Sequence, residues 1–178
     1  KNDILTRFFD SGKMVIKKTL TSLSPSMDIQ ISSNFERLLY DYLGDGIDIS
    51  NLFSKLEISN EFDINKKSLK KMMDNFGYGK LTDVLTKKTI NLIYNKHKII
   101  IDPHTAVGVS VGQKELKTKE KRVYLATAHY CKFIKTVRES IDKNIEYSKD
   151  IKKLLSKKEN FYVIENNIDN LKNFISNN

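Results

Sequence analysis

The run Ser24-Pro25-Ser26-Met27-Asp28-Ile29-Gln30-Ile31-Ser32-Ser33-Asn34-Phe35-Glu36-Arg37-Leu38-Leu39 constrains the fold most, because it carries three kinds of local structure in succession. Ser24 to Ser26 is turn chemistry: Pro25 fixes its own φ and pushes Ser24 into an extended conformation. Met27, Ile29 and Ile31 alternate with Asp28, Gln30 and Ser32, which reads as a short extended segment with one apolar face. Ser33 and Glu36 have capping-box spacing. Behind them Phe35, Leu38, Leu39, Tyr42 and Leu43 repeat at helical spacing, and Gly44 stops the helix. A polar loop thus meets a helix N-terminus with spare N–H donors, which is an anion-binding arrangement in principle. An ordinary loop-to-helix junction has the same pattern and is the simpler reading of the residues alone.

The chain has 178 residues and is 39% hydrophobic, enough to bury a real core. No internal repeat and no Gly/Ser/Pro-rich linker divides it, so residues 1–178 are expected to form a single unit. No apolar run approaches a membrane span, and no membrane partner is expected. One cysteine, Cys131, excludes an intrachain disulfide framework and fits a reducing cytoplasm. His97, His104 and His129 are scattered without ligand spacing, so no metal site is expected. The net charge of +9 raises a nucleic-acid reading. Of 31 basic residues, however, only Arg7, Arg37, Arg122 and Arg138 are arginines, and the lysines run from end to end. Arginine is the residue that forks onto phosphates and base edges, so a basic nucleic-acid-binding domain is kept only as a rival class.

The rest of the chain reads as mostly helical. Asn2 or Asp3 can cap a helix that buries Ile4, Leu5, Phe8 and Phe9 and ends at Gly12, with Arg7 on the opposite, solvated face. Lys13 to Leu20 is mixed and can be extended; Gly44-Asp45-Gly46 is a loop; helix follows within 47–66. Leu69, Met72, Met73 and Phe76 form a stripe ended by Gly77, and a further helix covers Thr86 to Asn95. Ile99-Ile100-Ile101 runs into Asp102, a potential N-cap with Pro103 at the first helical position. Ala106, Gly108, Ser110 and Gly112 let that helix pack closely on a sheet or a cofactor. A lysine-rich loop, Gln113 to Lys121, leads to Val123-Tyr124-Leu125-Ala126-Thr127, which reads as a buried strand. A helix burying Phe133, Ile134, Val137 and Ile141 follows, then a weakly patterned stretch and a last amphipathic helix marked by Ile164, Ile168, Leu171 and Ile175.

SPSMDIQISSNFERLL resembles a signature run of the threonine synthase family, and NDILTRFF, DPHTAVGV and LATAHYCKF resemble three more of its segments. Together these span essentially the whole chain but only the carboxy-terminal part of that enzyme. The resemblance implies an α/β fold, the carboxy-terminal part of a PLP-dependent enzyme of the tryptophan synthase β type, with helices packed on a mostly parallel sheet. It implies threonine biosynthesis: pyridoxal 5'-phosphate (PLP)-dependent conversion of O-phospho-L-homoserine and water to L-threonine and phosphate. The chain begins at Lys1-Asn2-Asp3 in a helical pattern, so it is expected to be the second part of something longer. The family's Schiff-base lysine and its glycine-rich phosphate loop are expected in an amino-terminal portion, in the same or a separate chain. No catalytic residue is therefore expected among these 178, and the chain alone is expected to be inactive. A remnant or partner subunit of a split enzyme is the alternative.

Within the resemblance, Thr127 is the candidate for the hydroxyl facing the pyridine nitrogen of PLP, with Thr105 second and His129 nearby. On residues alone, Thr127 is a strand-ending threonine and Thr105 a first-turn helix residue. Ser32, Ser33, Asn34 and Lys132 are candidates for substrate binding, and Asp28 or Arg37 for ordering the loop by an ion pair. The chain has Tyr130-Cys131 where the family usually has Pro-Ala.

Overall fold

The computed structural model describes residues 2–44, 46–115 and 120–177. Asp45 of the expected 44–46 loop, and 116–119 of the expected lysine-rich loop, lie outside them. Contacts divide the chain into two compact units, Lys1–Ile145 and Glu146–Asn178.

The first unit holds α1 (Ile4–Ser11), β1 (Lys13–Val15), α2 (Ser33–Leu43), α3 (Gly46–Ser59), β2 (Glu61–Asp63), α4 (Lys66–Met73), α5 (Asp83–His97), α6 (Pro103–Glu115) and α7 (Ile134–Ile141). Short 3-10 turns sit at Pro25–Met27 and Tyr130–Phe133. Phe8 is the centre of the first core. It is fully buried, and its ring meets those of Phe9 at 5.6 Å, Phe35 at 4.8 Å and Phe62 at 6.4 Å, all edge to face. These are the orientations aromatic quadrupoles prefer. Ile4, Phe8 and Phe9 fall on one face of α1, and Gly12 closes it at φ +75°, a value that favours glycine. β1 and β2 pair antiparallel, Met14 opposite Phe62, and both of those side chains are buried against the helices. Such a two-stranded sheet is marginal without packing of this kind.

The second core joins α5, α6 and α7 through Ile90, Ala106, Val137 and Ile141. Thr82 caps α5, its hydroxyl accepting from Leu85 N–H at 3.4 Å. Gly112 of α6 is small for a reason: a Cβ there would lie 2.8 Å from the Tyr124 ring.

Several expectations change. Ser32, not Ser33, stands at the N-cap of α2 and makes no side-chain cap bond. Ser32 is extended, at φ −115° and ψ 109°, so the helix starts at Ser33 and the Ser33–Glu36 capping box does not form. α4 ends at Met73; Met72 is buried, but Met73 and Phe76 are exposed, so the stripe is only half core. Met27, Ile29 and Ile31 are exposed while Gln30 is buried, so the alternating segment turns its polar face inward. Val123 to Thr127 has no ladder partner among the described residues, and Val123 and Leu125 are 88% and 79% exposed. A strand forms only beside another strand, and no neighbour comes from the described residues. Among those residues the one sheet is the β1–β2 pair, so the mostly parallel sheet expected of the fold class is not built within them.

Arg7 is not on a solvated face. Its guanidinium donates to Asp3 at 3.0 Å, to the Val15 carbonyl at 3.0 Å and to Gln30 at 3.4 Å, tying α1 to β1 and to the loop before α2. Lys80 donates to the other Asp3 oxygen at 2.6 Å. Asn2 donates to the Leu20 carbonyl at 2.5 Å and to Asp28 at 2.7 Å. This polar tie replaces the apolar contact that the alternation implied.

The second unit holds α8 (Lys149–Leu155) and α9 (Ile168–Asn177). Ser148 caps α8 through Ile151 N–H at 3.3 Å. Neither helix buries a residue, and Leu155, Ile168 and Ile175 are exposed.

Phe8→Ala is expected to cost about 3–5 kcal/mol in chemical denaturation, because it empties the centre of the first core. Lys80 and Arg7 beside Asp3 hold its carboxyl below the ordinary value of 3.8, so its ionised form stabilises the fold. Asp3→Asn should lower stability at pH 7 by about 1 kcal/mol or less, since the Lys80 side is open to water. The gap between the two proteins should be constant above the ordinary carboxylate value. It should then close as pH falls below it, in denaturation midpoints taken from pH 7 down to 3.

Candidate functional site

A cavity of about 240 Å³ opens where the N-terminus of α1 meets the loop before α2, lined among others by Asn2, Asp3, Ser24, Ser26, Asp28 and Lys80. Asp28 organises the loop from below. Its carboxylate accepts from Ser22 N–H at 2.8 Å, from the Ser22 hydroxyl at 2.5 Å and from Asn2 at 2.7 Å. It orders the loop through the neutral donors Ser22 and Asn2, in place of the expected ion pair. The turn at Pro25–Met27 closes on itself, Met27 N–H donating to Ser24 C=O at 2.8 Å and Asp28 N–H to Pro25 C=O at 3.0 Å. Ser24 is 6% exposed, and its hydroxyl makes no hydrogen bond within the described residues.

Asp102 is the N-cap foreseen for α6. Its buried carboxylate accepts from His104 N–H at 2.9 Å and Thr105 N–H at 3.4 Å, two of the donors a helix start leaves over. The Thr105 hydroxyl donates to the other carboxylate oxygen. His104 Nδ1 lies 2.9 Å from Asp102 Oδ1. A carboxylate only accepts, so Nδ1 carries the proton and the Nε2 lone pair is left to accept. Ser26 N–H, 3.1 Å away, donates to it. The imidazole also meets the Phe133 ring edge to face at 4.8 Å. His104 thus touches the loop before α2, the start of α6 and the 3-10 turn Tyr130–Phe133.

Around that turn, His129 Nδ1 accepts from Cys131 N–H at 3.2 Å, and its ring stacks on Tyr130 at 4.6 Å. Burial raises the Tyr130 hydroxyl above its usual value, with the Cys131 thiol adding to the effect. Cys131 is buried, and Lys132 is exposed. Thr127 is exposed, and its hydroxyl makes no hydrogen bond within the described residues.

Asp28 and Ser32 line the cavity, whereas Ser33, Asn34 and Arg37 do not. Arg37 instead donates to Asn34 on the exposed face of α2. His104, next to Thr105, meets Phe133 at the end of the segment bearing Thr127, His129 and Lys132, and Tyr130 of that segment packs on the core that includes Ala106. Sequence reasoning passed over His104, Gln30 and Lys80. For His104 a signal was present: a donor two residues after an Asp N-cap lies back over the cap carboxylate. Gln30 and Lys80 had none, since both act through contacts distant in sequence.

The family described as "Threonine synthase, C-terminal" matches residues 105–175. The chain is 35% identical over 191 residues to the threonine synthase of Saccharomyces cerevisiae, covering 93% of this chain and 37% of that protein. It is 33% identical over 180 residues to that of Pseudomonas aeruginosa, covering 99% of this chain and 38% of that protein. Among solved structures, a PLP-bound threonine synthase from Brucella melitensis superposes with a TM-score of 0.85 at 34% identity, over 99% of this chain and 38% of that one. The chain therefore spans well under half the length of the relatives it matches. Its fold class is that of the tryptophan synthase β type to which these enzymes belong. Over nearly its whole length the chain is similar to the carboxy-terminal part of threonine synthases.

Proposed function

We propose that this chain supplies the carboxy-terminal part of a threonine synthase active site. The enzyme would convert O-phospho-L-homoserine and water to L-threonine and phosphate in the cytoplasm. The observation that carries the reading is the close superposition, over 99% of the chain, on a PLP-bound threonine synthase. The partner is the amino-terminal portion of the enzyme, in the same or a separate chain, which brings the lysine that holds the cofactor and the loop that binds its phosphate.

The residues here fit a PLP ring in one respect. Thr127 offers an exposed hydroxyl with no hydrogen bond to a described residue, whereas the Thr105 hydroxyl already donates to Asp102. This supports Thr127 over Thr105 as the group facing the pyridine nitrogen. PLP, when bound, supplies an electron sink for proton removal next to its amino group. Thr127 would orient the ring, and a hydroxyl can donate to the neutral nitrogen without holding a proton on it. His129, with Nδ1 engaged by Cys131 N–H, would stiffen the segment that presents Thr127. Lys132 is an exposed cation two turn positions on, and Ser32 at the cavity rim would assist substrate binding.

The open side chains of Val123 and Leu125 support a docking surface for the amino-terminal portion, because apolar residues at the end of such a stretch are elsewhere buried between strands.

Phosphate release from O-phospho-L-homoserine should appear only when the chain and the amino-terminal portion are present together. The chain alone, with PLP, should leave no lysine fixed by borohydride; one specifically fixed lysine would overturn the assignment. Thr127→Val should weaken PLP binding by the assembled enzyme about tenfold, read by fluorescence titration, as expected for one lost hydrogen bond. An unchanged affinity would remove Thr127 from the ring. Val123→Ser with Leu125→Ser should shift the stability of this chain by about 0.5 kcal/mol or less, since both side chains are exposed. The same pair of changes should weaken association with the amino-terminal portion in sedimentation.

A further inference from the structure

We propose that His104 is a positioning residue that holds the Ser24–Met27 turn, and with it the Ser24 hydroxyl, against the cavity at the start of α1. Nothing in the motifs assigns it this role, and it stands 78 residues from the turn it touches.

The first N–H groups of any helical turn have no partner inside it. In the Pro25–Met27 turn, Pro25 has no N–H, and Ser26 is the next residue. Its N–H donates to His104 Nε2 at 3.1 Å. That bond requires a neutral imidazole with the proton on Nδ1. Asp102 imposes this form, because its carboxylate, 1% exposed, sits 2.9 Å from Nδ1. Asp102 in turn is fixed as the cap of α6. The His104 side chain is 7% exposed and rests on Phe133, so the ring cannot swing away without opening that contact.

Just before the turn, Leu23 N–H also makes a long-range bond, donating to Asp83 Oδ1 at 3.3 Å. Between the two anchors lies Ser24, 6% exposed, lining the cavity and with a hydroxyl that no described residue engages. Its oxygen reaches the cavity rather than being sealed in packing, so it can pair with whatever occupies that space. The geometry assigns Ser24 as a contact for the molecule that enters the cavity, and His104 as the residue that sets its position. Because Phe133 belongs to the segment that follows Thr127, the same ring also fixes the turn relative to that segment.

The functional half of this inference rests on the threonine synthase reading; the structural half does not. The test uses two substitutions. His104→Asn keeps a donor for Asp102 but removes the acceptor for Ser26, whereas His104→Gln places an acceptor oxygen near the Nε2 position. In this chain, amide exchange by NMR should speed up at Ser26 about tenfold in His104→Asn and return toward wild type in His104→Gln. The Leu39 amide should stay protected in both, showing that the first core is intact. Equal Ser26 exchange in wild type and His104→Asn overturns the bond, and so does a His104→Gln no slower than His104→Asn. In the chain assembled with the amino-terminal portion, His104→Asn and Ser24→Ala should each raise KM for O-phospho-L-homoserine about tenfold and lower kcat less, with His104→Gln recovering KM. Unchanged KM in both overturns the role in binding. Absence of any turnover by the wild-type assembly refutes the functional reading instead, and the exchange data still decide the role of His104.

Discussion

The Asp102 carboxylate is the point on which the site depends. It is buried, and four donors converge on it: two backbone N–H groups, the Thr105 hydroxyl and His104 Nδ1. A buried charge is tolerable only when its lone pairs are met in this way. Satisfying them starts α6, faces Thr105 inward and selects the tautomer of His104. The loop before α2 and the turn after Thr127 then both find their places on one imidazole. The helix start, the loop and the turn are thus settled by one electrostatic requirement.

The loop before α2 shows a second requirement. Its alternation of apolar and polar residues predicts the apolar face inward, and the opposite is found. Gln30 and Asp28 turn in because Arg7, Asn2 and Ser22 offer donors that must be met. Met27, Ile29 and Ile31 then face out. Val123 and Leu125 do the same on another stretch. Exposed apolar residues scattered singly are ordinary, whereas rows of them on signature segments accord with the docking surface proposed above. The chain spans 37–38% of the length of the yeast and Pseudomonas aeruginosa enzymes.

The helices were legible where local chemistry and burial agree. α1 ends at Gly12 and α2 at Gly44 because both C-caps need a left-handed residue. α6 begins at Pro103 because Asp102 caps it and a proline costs nothing at that position. Thr105 and Asp28 were recognisable as polar groups at the site, but their partners were not. The capping box failed because Ser32 already occupied the cap. Arg7 was misplaced on a solvated face because its acceptors, the Val15 carbonyl and Gln30, lie eight and 23 residues away. No helical period reports such distances.

The sequence by itself determined the ends of α1 and α2, the start of α6, the burial of Phe8 and Phe9 and the likeness to threonine synthases, since each rests on residues adjacent in the chain or at fixed spacing. Only the tertiary structure decided which face of residues 27–31 turns inward, that the Thr105 hydroxyl is engaged by Asp102, and that His104 joins three separate motifs. The reason is physical. Local propensity is a property of neighbouring residues, whereas a buried donor accepts whichever partner the fold brings within about 3 Å. That partner is fixed only once the whole chain has packed.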